Sequence, residues 1–290
     1  RDRSPSRGLG DVYKRQDLDY DEGKSKGIMC QPIPYFLMYD EHLAQNEYRL
    51  QNTEKNRKIA CAQVDNKELI RTHGLTPYNF GFLDSMHRDD MLYISLSGTM
   101  SGTHSNACTY ARDVKNKNYV VFDSKTCSAG INILVDKALE FVDNHNVFEA
   151  AKELESLRDK IGTYFITTDS TNLNMSGRLT YELKSSGALQ PCILGKVGDD
   201  GKLHVLQVLK SQDIAIFALV KLFSEQVEET DEHNVYISYA NNEIAAKKLY
   251  QGISLVANKQ AKITRLSPLC TAVGGTKTVV LAFVKRSTNA

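Results

Sequence analysis

The chain has 290 residues, 41% of them hydrophobic and 24% charged, a balance that suits a folded globular protein long enough for two domains. Its net charge of +1 gives no electrostatic reason to bind nucleic acid or an anionic membrane surface. No apolar run reaches the length of a transmembrane helix, so a membrane-integral protein is not expected. The six cysteines stand singly, without a Cys-x-x-Cys pair, and read as free thiols of a reducing, cytoplasmic setting. The seven histidines show no ligand spacing, so no metal is expected.

Along the chain, residues 1–16 (RDRSPSRGLGDVYKRQ) are basic and aperiodic. They resemble the translated read-through of a sequencing adapter and are expected to be a non-native or disordered tail. Ile28 to Met38, interrupted by Pro32 and Pro34, fits an edge or terminal strand. Asp40 to Lys58 is polar and reads as loop with some helix, and Pro77 to Met86 as a short helix capped by Thr76. Met91-Leu-Tyr-Ile94 marks the end of a buried strand, Ala107 to Lys115 a helix, and Tyr119 to Asp123 a strand, which together make a parallel βαβ unit. A helix follows with Ile131, Leu134, Val135, Ala138, Leu139 and Val142 on one face, then a charged helix from Glu149 to Ile161 and a strand from Tyr164 to Thr167.

Beyond this point the pattern changes. Cys192 to Leu209 folds around Gly198-Asp-Asp-Gly201 as a β-hairpin. Helices from Asp213 to Val227 and from Asn242 to Ala257 alternate with strands at Val235–Tyr239, near Ile263 and at Thr278–Val284. The expected fold is therefore α/β with two domains. An N-terminal parallel-sheet, Rossmann-like domain (17–161) would be followed by a C-terminal α+β domain (162–290).

The most informative stretch is the strand-to-helix joint Ser97-Gly-Thr-Met-Ser-Gly-Thr-His-Ser-Asn-Ala107. Such a joint directs backbone N–H groups and hydroxyls at one spot, which suits a carboxylate or phosphate. An ordinary Ser/Thr cap explains most such joints, but two Ser-Gly-Thr triplets exceed what a cap requires. An enzyme is the competing class. Ser101 with His104 three residues on would be its nucleophile and base, yet Gly-x-Ser-x-Gly is absent. Gly274-Gly-Thr-Lys-Thr278 has the end of a phosphate loop without its opening glycine. Asp123 and Arg178 are expected to be structural.

The joint resembles the S-S-x-L-S-G-T-x-x-S-A signature of the DegV family. Asp123-Ser124 with Ser128 and Gly130, Ser176-Gly-Arg-Leu179, and Gln190-Pro-Cys-Ile-Leu194 with Asp200-Gly-Lys-Leu203 are similar to further family segments, in the same order. The resemblance implies a non-enzymatic binder of a long-chain fatty acid such as palmitate, which needs no other cofactor. It also implies a carrier role, with a fatty acid kinase catalytic subunit as a further partner. It places the acid between the two domains, with the head-group site in the first, and assigns the carboxylate to Ser101 and to a threonine; the N–H groups at Gly102 and Thr103 can add the oriented donors a carboxylate needs. Arg71-Thr-His-Gly-Leu-Thr-Pro77 gives that threonine as Thr72; a competing register at Cys61-Ala-Gln-Val64 has no hydroxyl there. The chain departs from the family pattern at His73, where a second serine is expected, at 272–277, where no histidine stands, and at Lys210-Ser-Gln212, which lacks an arginine. A small-molecule hydrolase or transferase using Ser101, and a paralogue that has lost its ligand, therefore stay open.

Overall fold

The computed structural model describes residues 11–15, 29–31, 35–38, 44–86, 90–114, 118–141, 147–179, 181, 190–228, 234–257 and 259–286. Residues 1–10, Pro32, Pro34 and Val142, on which expectations above rest, lie outside that set. Among the described residues three sheets organise the chain. The first is four-stranded and parallel throughout, in the order β2-β1-β6-β7, from β1 (Asp11–Arg15), β2 (Met29–Gln31), β6 (Asp90–Ser95) and β7 (Asn118–Asp123). A small antiparallel sheet joins β3 (Tyr35–Met38), β4 (Ala44–Tyr48) and β5 (Ile70–Thr72) in the order β4-β3-β5.

The third sheet is six-stranded and mixed. It comprises β8 (Ile161–Thr167), β9 (Cys192–Val197), β10 (Leu203–Leu209), β11 (Val235–Tyr239), β12 (Ala261–Arg265) and β13 (Val279–Val284). Its order is β10-β9-β8-β13-β11-β12, and within it β11 and β12 run parallel.

Two expectations need correction here. The segment taken for a disordered tail supplies β1, which pairs Asp11 to Lys14 with Met91 to Ile94. A strand edge presents unpaired N–H and C=O groups, and a segment free of Gly and Pro, with Val12 and Tyr13, can pair with it through the main chain alone. The stretch read as one strand from Ile28 to Met38 splits into β2 and β3 in different sheets. In sequence Pro32 and Pro34 stand between them, where a continuous ladder would lack two donors.

The α-helices are α1 (Glu54–Asp65), α2 (Thr103–Asp113), α3 (Ala129–Glu140), α4 (Val147–Arg158), α5 (Thr171–Met175), α6 (Gln212–Gln226), α7 (Glu243–Val256) and α8 (Pro268–Gly274). Pro77–Met86 is a 3-10 helix. Local chemistry sets several starts. Ser211 Oγ accepts from Ile214 N at 3.3 Å, and Ser267 Oγ from Cys270 N at 3.1 Å with Pro268 at the first turn. Helix α2 begins four residues before the expected Ala107. His104, Ser105 and Asn106 look like loop formers, but Ser105 Oγ bonds back to Gly102 O and Asn106 Nδ2 reaches Leu75 O, so their polar groups are satisfied without unwinding the turn.

Alternation along the central strands separates two cores. In β13, Val279, Leu281 and Phe283 face α6 and α7, while Val280, Ala282 and Val284 face α3. That second cluster also takes Leu92 and Ile94 from β6 and Phe122 from β7, so α3 packs against strands of both large sheets, while α4 packs on α3 and on β6 and β7. A third cluster, around Phe80, Tyr93 and Tyr110, closes the other face of the parallel sheet.

Candidate ligand site between the sheets

Strand β6 is buried from Met91 to Ser95 and releases the chain at its carboxyl end. The joint that follows is pinned from below: Ser97 N donates to Thr126 O at 3.0 Å, and Gly98 N to Asp123 Oδ1 at 3.0 Å. Lys125 N gives that same carboxylate oxygen a second hydrogen bond. The first Ser-Gly-Thr triplet then reaches across to the hairpin of the mixed sheet. Ser97 Oγ donates to Gly201 O at 2.7 Å and Thr99 Oγ1 to Asp200 O at 3.0 Å. This triplet is a clamp between the two halves of the molecule.

Ser101 of the second triplet borders a cavity between the sheets, with an empty volume of about 880 Å³ including its open mouth. Its walls are mostly apolar. Phe165 and Val280 come from the mixed sheet, Leu269 and Val273 from α8, Leu173 from α5, and Met100 from the joint. Thr72, Ser101 and Ser128 are its hydroxyl residues from the first half, and Thr163 and Thr278 come from the second. Arg178 borders it as well, with Nε donating to Met100 O at 3.3 Å and Nη1 to Ser176 O. Burial pulls the pKa of this guanidinium down from its ordinary value, but an arginine still keeps its charge. Its two hydrogen bonds to carbonyls are the local structural contacts expected of it, made at the rim of the cavity.

The four residues assigned from sequence separate into two pairs. Thr72 and Ser101 line the cavity. The Thr72 hydroxyl is buried without a hydrogen-bond partner. Ser101 Oγ donates to Thr103 Oγ1 at 3.1 Å. Gly102 is exposed at the N-cap of α2, and Thr103 is fully buried, its hydroxyl accepting from Leu75 N at 3.1 Å. Neither belongs to the cavity lining, and Thr103 N already donates to Ser101 Oγ at 3.3 Å. Thr103 supports Ser101 from beneath.

The nucleophile-and-base geometry of the enzyme alternative is not formed. The His104 ring places Nδ1 2.9 Å from Ser95 Oγ and Nε2 3.6 Å from Cys108 Sγ, while Ser101 turns to Thr103. Ser95 is completely buried and also donates to Phe122 O, and burial pushes the Cys108 thiol up, away from the reactive thiolate. The residues of the incomplete phosphate loop are engaged locally: Thr276 Oγ1 donates to Asp65 Oδ1 at 2.7 Å and Thr278 Oγ1 to Gly274 O at 2.5 Å. Among the described residues no three His, Cys, Asp or Glu side chains gather as metal ligands would, and no helix is long and apolar enough to cross a membrane.

Residues 46–286 match the model of a family described as an uncharacterised protein, DegV family. The chain belongs to the DegV family. A DegV domain-containing protein of Streptococcus pyogenes serotype M3 is 26% identical over 189 residues, which is 63% of this chain and 67% of that protein. A DegV lipid-binding protein of Thermotoga maritima superposes with a TM-score of 0.83 at 17% identity, covering 96% of this chain and 100% of the other. The fatty acid kinase B3 protein of Streptococcus pneumoniae, loaded with linoleic acid, superposes with a TM-score of 0.78 at 16% identity, covering 96% and 100%. The two-domain DegV fold thus accounts for nearly all of the chain.

Sequence reasoning left Ser128 out of the site. It stands just before α3 with φ 48° and ψ −122°, is 2% exposed, belongs to the cavity lining, and has a buried hydroxyl without a hydrogen-bond partner. The one signal for it in the sequence was its place in the Asp123-Ser124…Ser128-x-Gly130 segment.

Proposed function

We propose that this DegV protein binds one long-chain fatty acid in the cavity between its sheets and carries it without performing chemistry on it. One observation supports the reading above the rest. A long apolar cavity has a partnerless buried hydroxyl, Thr72 Oγ1, in its wall beside Ser101 at the start of α2. A carboxylate would give that hydroxyl an acceptor and would meet the positive end of the helix. Each methylene buried along Phe165, Leu269 and Val280 would add about 0.8 kcal/mol. Arg178, at the same rim, would supply the counter-charge.

The described neighbours include proteins named for lipid binding and for linoleic acid, which agrees with this reading. His104 is turned away from Ser101, which favours a carrier over a hydrolase. The paralogue that has lost its ligand is disfavoured by the open cavity. Any activation of the acid as an acyl phosphate would fall to a separate fatty acid kinase subunit that brings ATP. Cys61, Cys108 and Cys192 are free thiols, as suits a cytoplasmic carrier.

Native mass spectrometry of the purified protein should find a co-purified C16–C18 acid, and calorimetry after delipidation should show one palmitate per chain. A protein that stays empty and takes up no palmitate refutes the proposal. Turnover of an ester, or of palmitate with ATP and magnesium, that disappears in Ser101→Ala would put an enzyme in its place.

A further inference from the structure

We infer that the cavity has a second polar subsite at Ser128, which reads a hydroxyl on the acyl chain, so that the preferred ligand is a hydroxylated fatty acid. The inference rests on the fatty-acid reading above and deepens it. Ser128 is 98% buried, its hydroxyl has no hydrogen-bond partner, and it lines the cavity. It immediately precedes the twelve-residue helix α3, whose first turn is closed by Gly130 N to Cys127 O and Ile131 N to Ser128 O, both at 3.0 Å. The Ser101 end of the cavity is built on α2, a different helix that follows the neighbouring strand.

Three other hydroxyl residues of the cavity are occupied within the protein: Ser101 Oγ donates to Thr103 Oγ1 at 3.1 Å, Thr163 Oγ1 bonds Thr126 Oγ1 at 2.7 Å, and Thr278 Oγ1 donates to Gly274 O at 2.5 Å, while Thr72 is the one assigned to the carboxylate. Ser128 differs from those three. A methylene laid against its hydroxyl returns nothing for the desolvated group, whereas a ligand hydroxyl can both donate to it and accept from it. Sites built around such a group discriminate strongly against the analogue that lacks it. The backbone agrees: Ser128 is held at φ 48°, a conformation more natural to glycine, which keeps an oxygen at this point of the wall.

The test is calorimetric titration of the delipidated protein with stearate and with its 2-, 3-, 10- and 12-hydroxy derivatives. At least one isomer should bind about tenfold or more tightly than stearate. Ser128→Ala should erase that preference, bringing the affinity for the hydroxylated isomer down to that for stearate. Ser128→Gly, which suits the positive φ and also lacks the hydroxyl, serves if the alanine variant fails to fold. The inference alone is overturned if no isomer is preferred, if the preference survives in the variants, or if stearate and hydroxystearate are weakened equally, which would place Ser128 in the carboxylate site. A wild-type protein that binds neither stearate nor any hydroxystearate would remove the fatty-acid reading and this inference together.

Discussion

In the proposed site, Thr72 illustrates how a binding residue would work against the protein that carries it. The Thr72 hydroxyl is buried and partnerless, which costs the ligand-free fold about 1–3 kcal/mol. Thr72→Val keeps the shape and removes that cost. It should raise the melting temperature of the delipidated protein while weakening palmitate binding roughly tenfold. A variant that gains stability without losing affinity would show that the hydroxyl never meets the ligand. Ser101→Ala should weaken palmitate by roughly ten- to a hundredfold, the value of a hydrogen bond to a charged group, with little change in stability. Equal affinity by calorimetry would remove Ser101 from the site. Ser101 was legible because the repeated Ser-Gly-Thr at a strand end is a local pattern. Ser128 was not, because a hydroxyl without a partner is a property of everything packed around it.

At the scale of elements, the legible parts were those whose chemistry is local. The apolar runs at Met91–Ile94 and Val279–Val284 became buried strands, and Gly198-Asp-Asp-Gly201 became the hairpin turn. The β4-β3-β5 sheet was not seen, since Ala44–Tyr48 (AQNEY) is short and polar and pairs only because β3 lies beside it. The facing of β10 was also weak in the sequence, and the structure gives the reason: Leu206 and Val208 are about 40% exposed on an edge strand, so no face is fully buried. The hairpin carries a sharper prediction at Gly201. Its φ is +73°, and a Cβ there would stand 2.3 Å from Ser97 Oγ. Gly201→Ala should therefore lower stability by more than about 1 kcal/mol, read as a reduced urea midpoint. Gly81→Ala, where a Cβ meets nothing within 4 Å, is the matched control and should be near neutral.

Across the whole molecule, one apolar cluster joins Leu92 and Phe122 of the parallel sheet to Phe165 and Val280 of the mixed sheet through α3. The mixed sheet begins at Ile161, so the two halves are separable in sequence but share this interior. Halves with a common core should unfold together. The chain has 14 tyrosines and no tryptophan, so tyrosine fluorescence and far-ultraviolet circular dichroism are the probes to compare. Their thermal transitions should coincide, and saturating palmitate should shift both alike. Two separate midpoints would mean that each half holds itself together independently.

The bonds from Ser97 and Thr99 to the carbonyls of Gly201 and Asp200 have a consequence for time rather than for strength. They tie the loop that leads to Ser101 to the hairpin of the opposite sheet. Parting the halves along this seam breaks both bonds at once, so the seam resists opening and slows the escape of whatever the cavity holds. Replacing the two side chains with Ala and Val should thus shorten the residence time of a bound acid more than it alters the equilibrium constant. Stopped-flow displacement of a fluorescent fatty acid would measure this, and an unchanged off-rate would assign the lifetime of the complex to another part of the rim. In a carrier, the time for which the cargo stays bound sets how far it can be taken before it is lost.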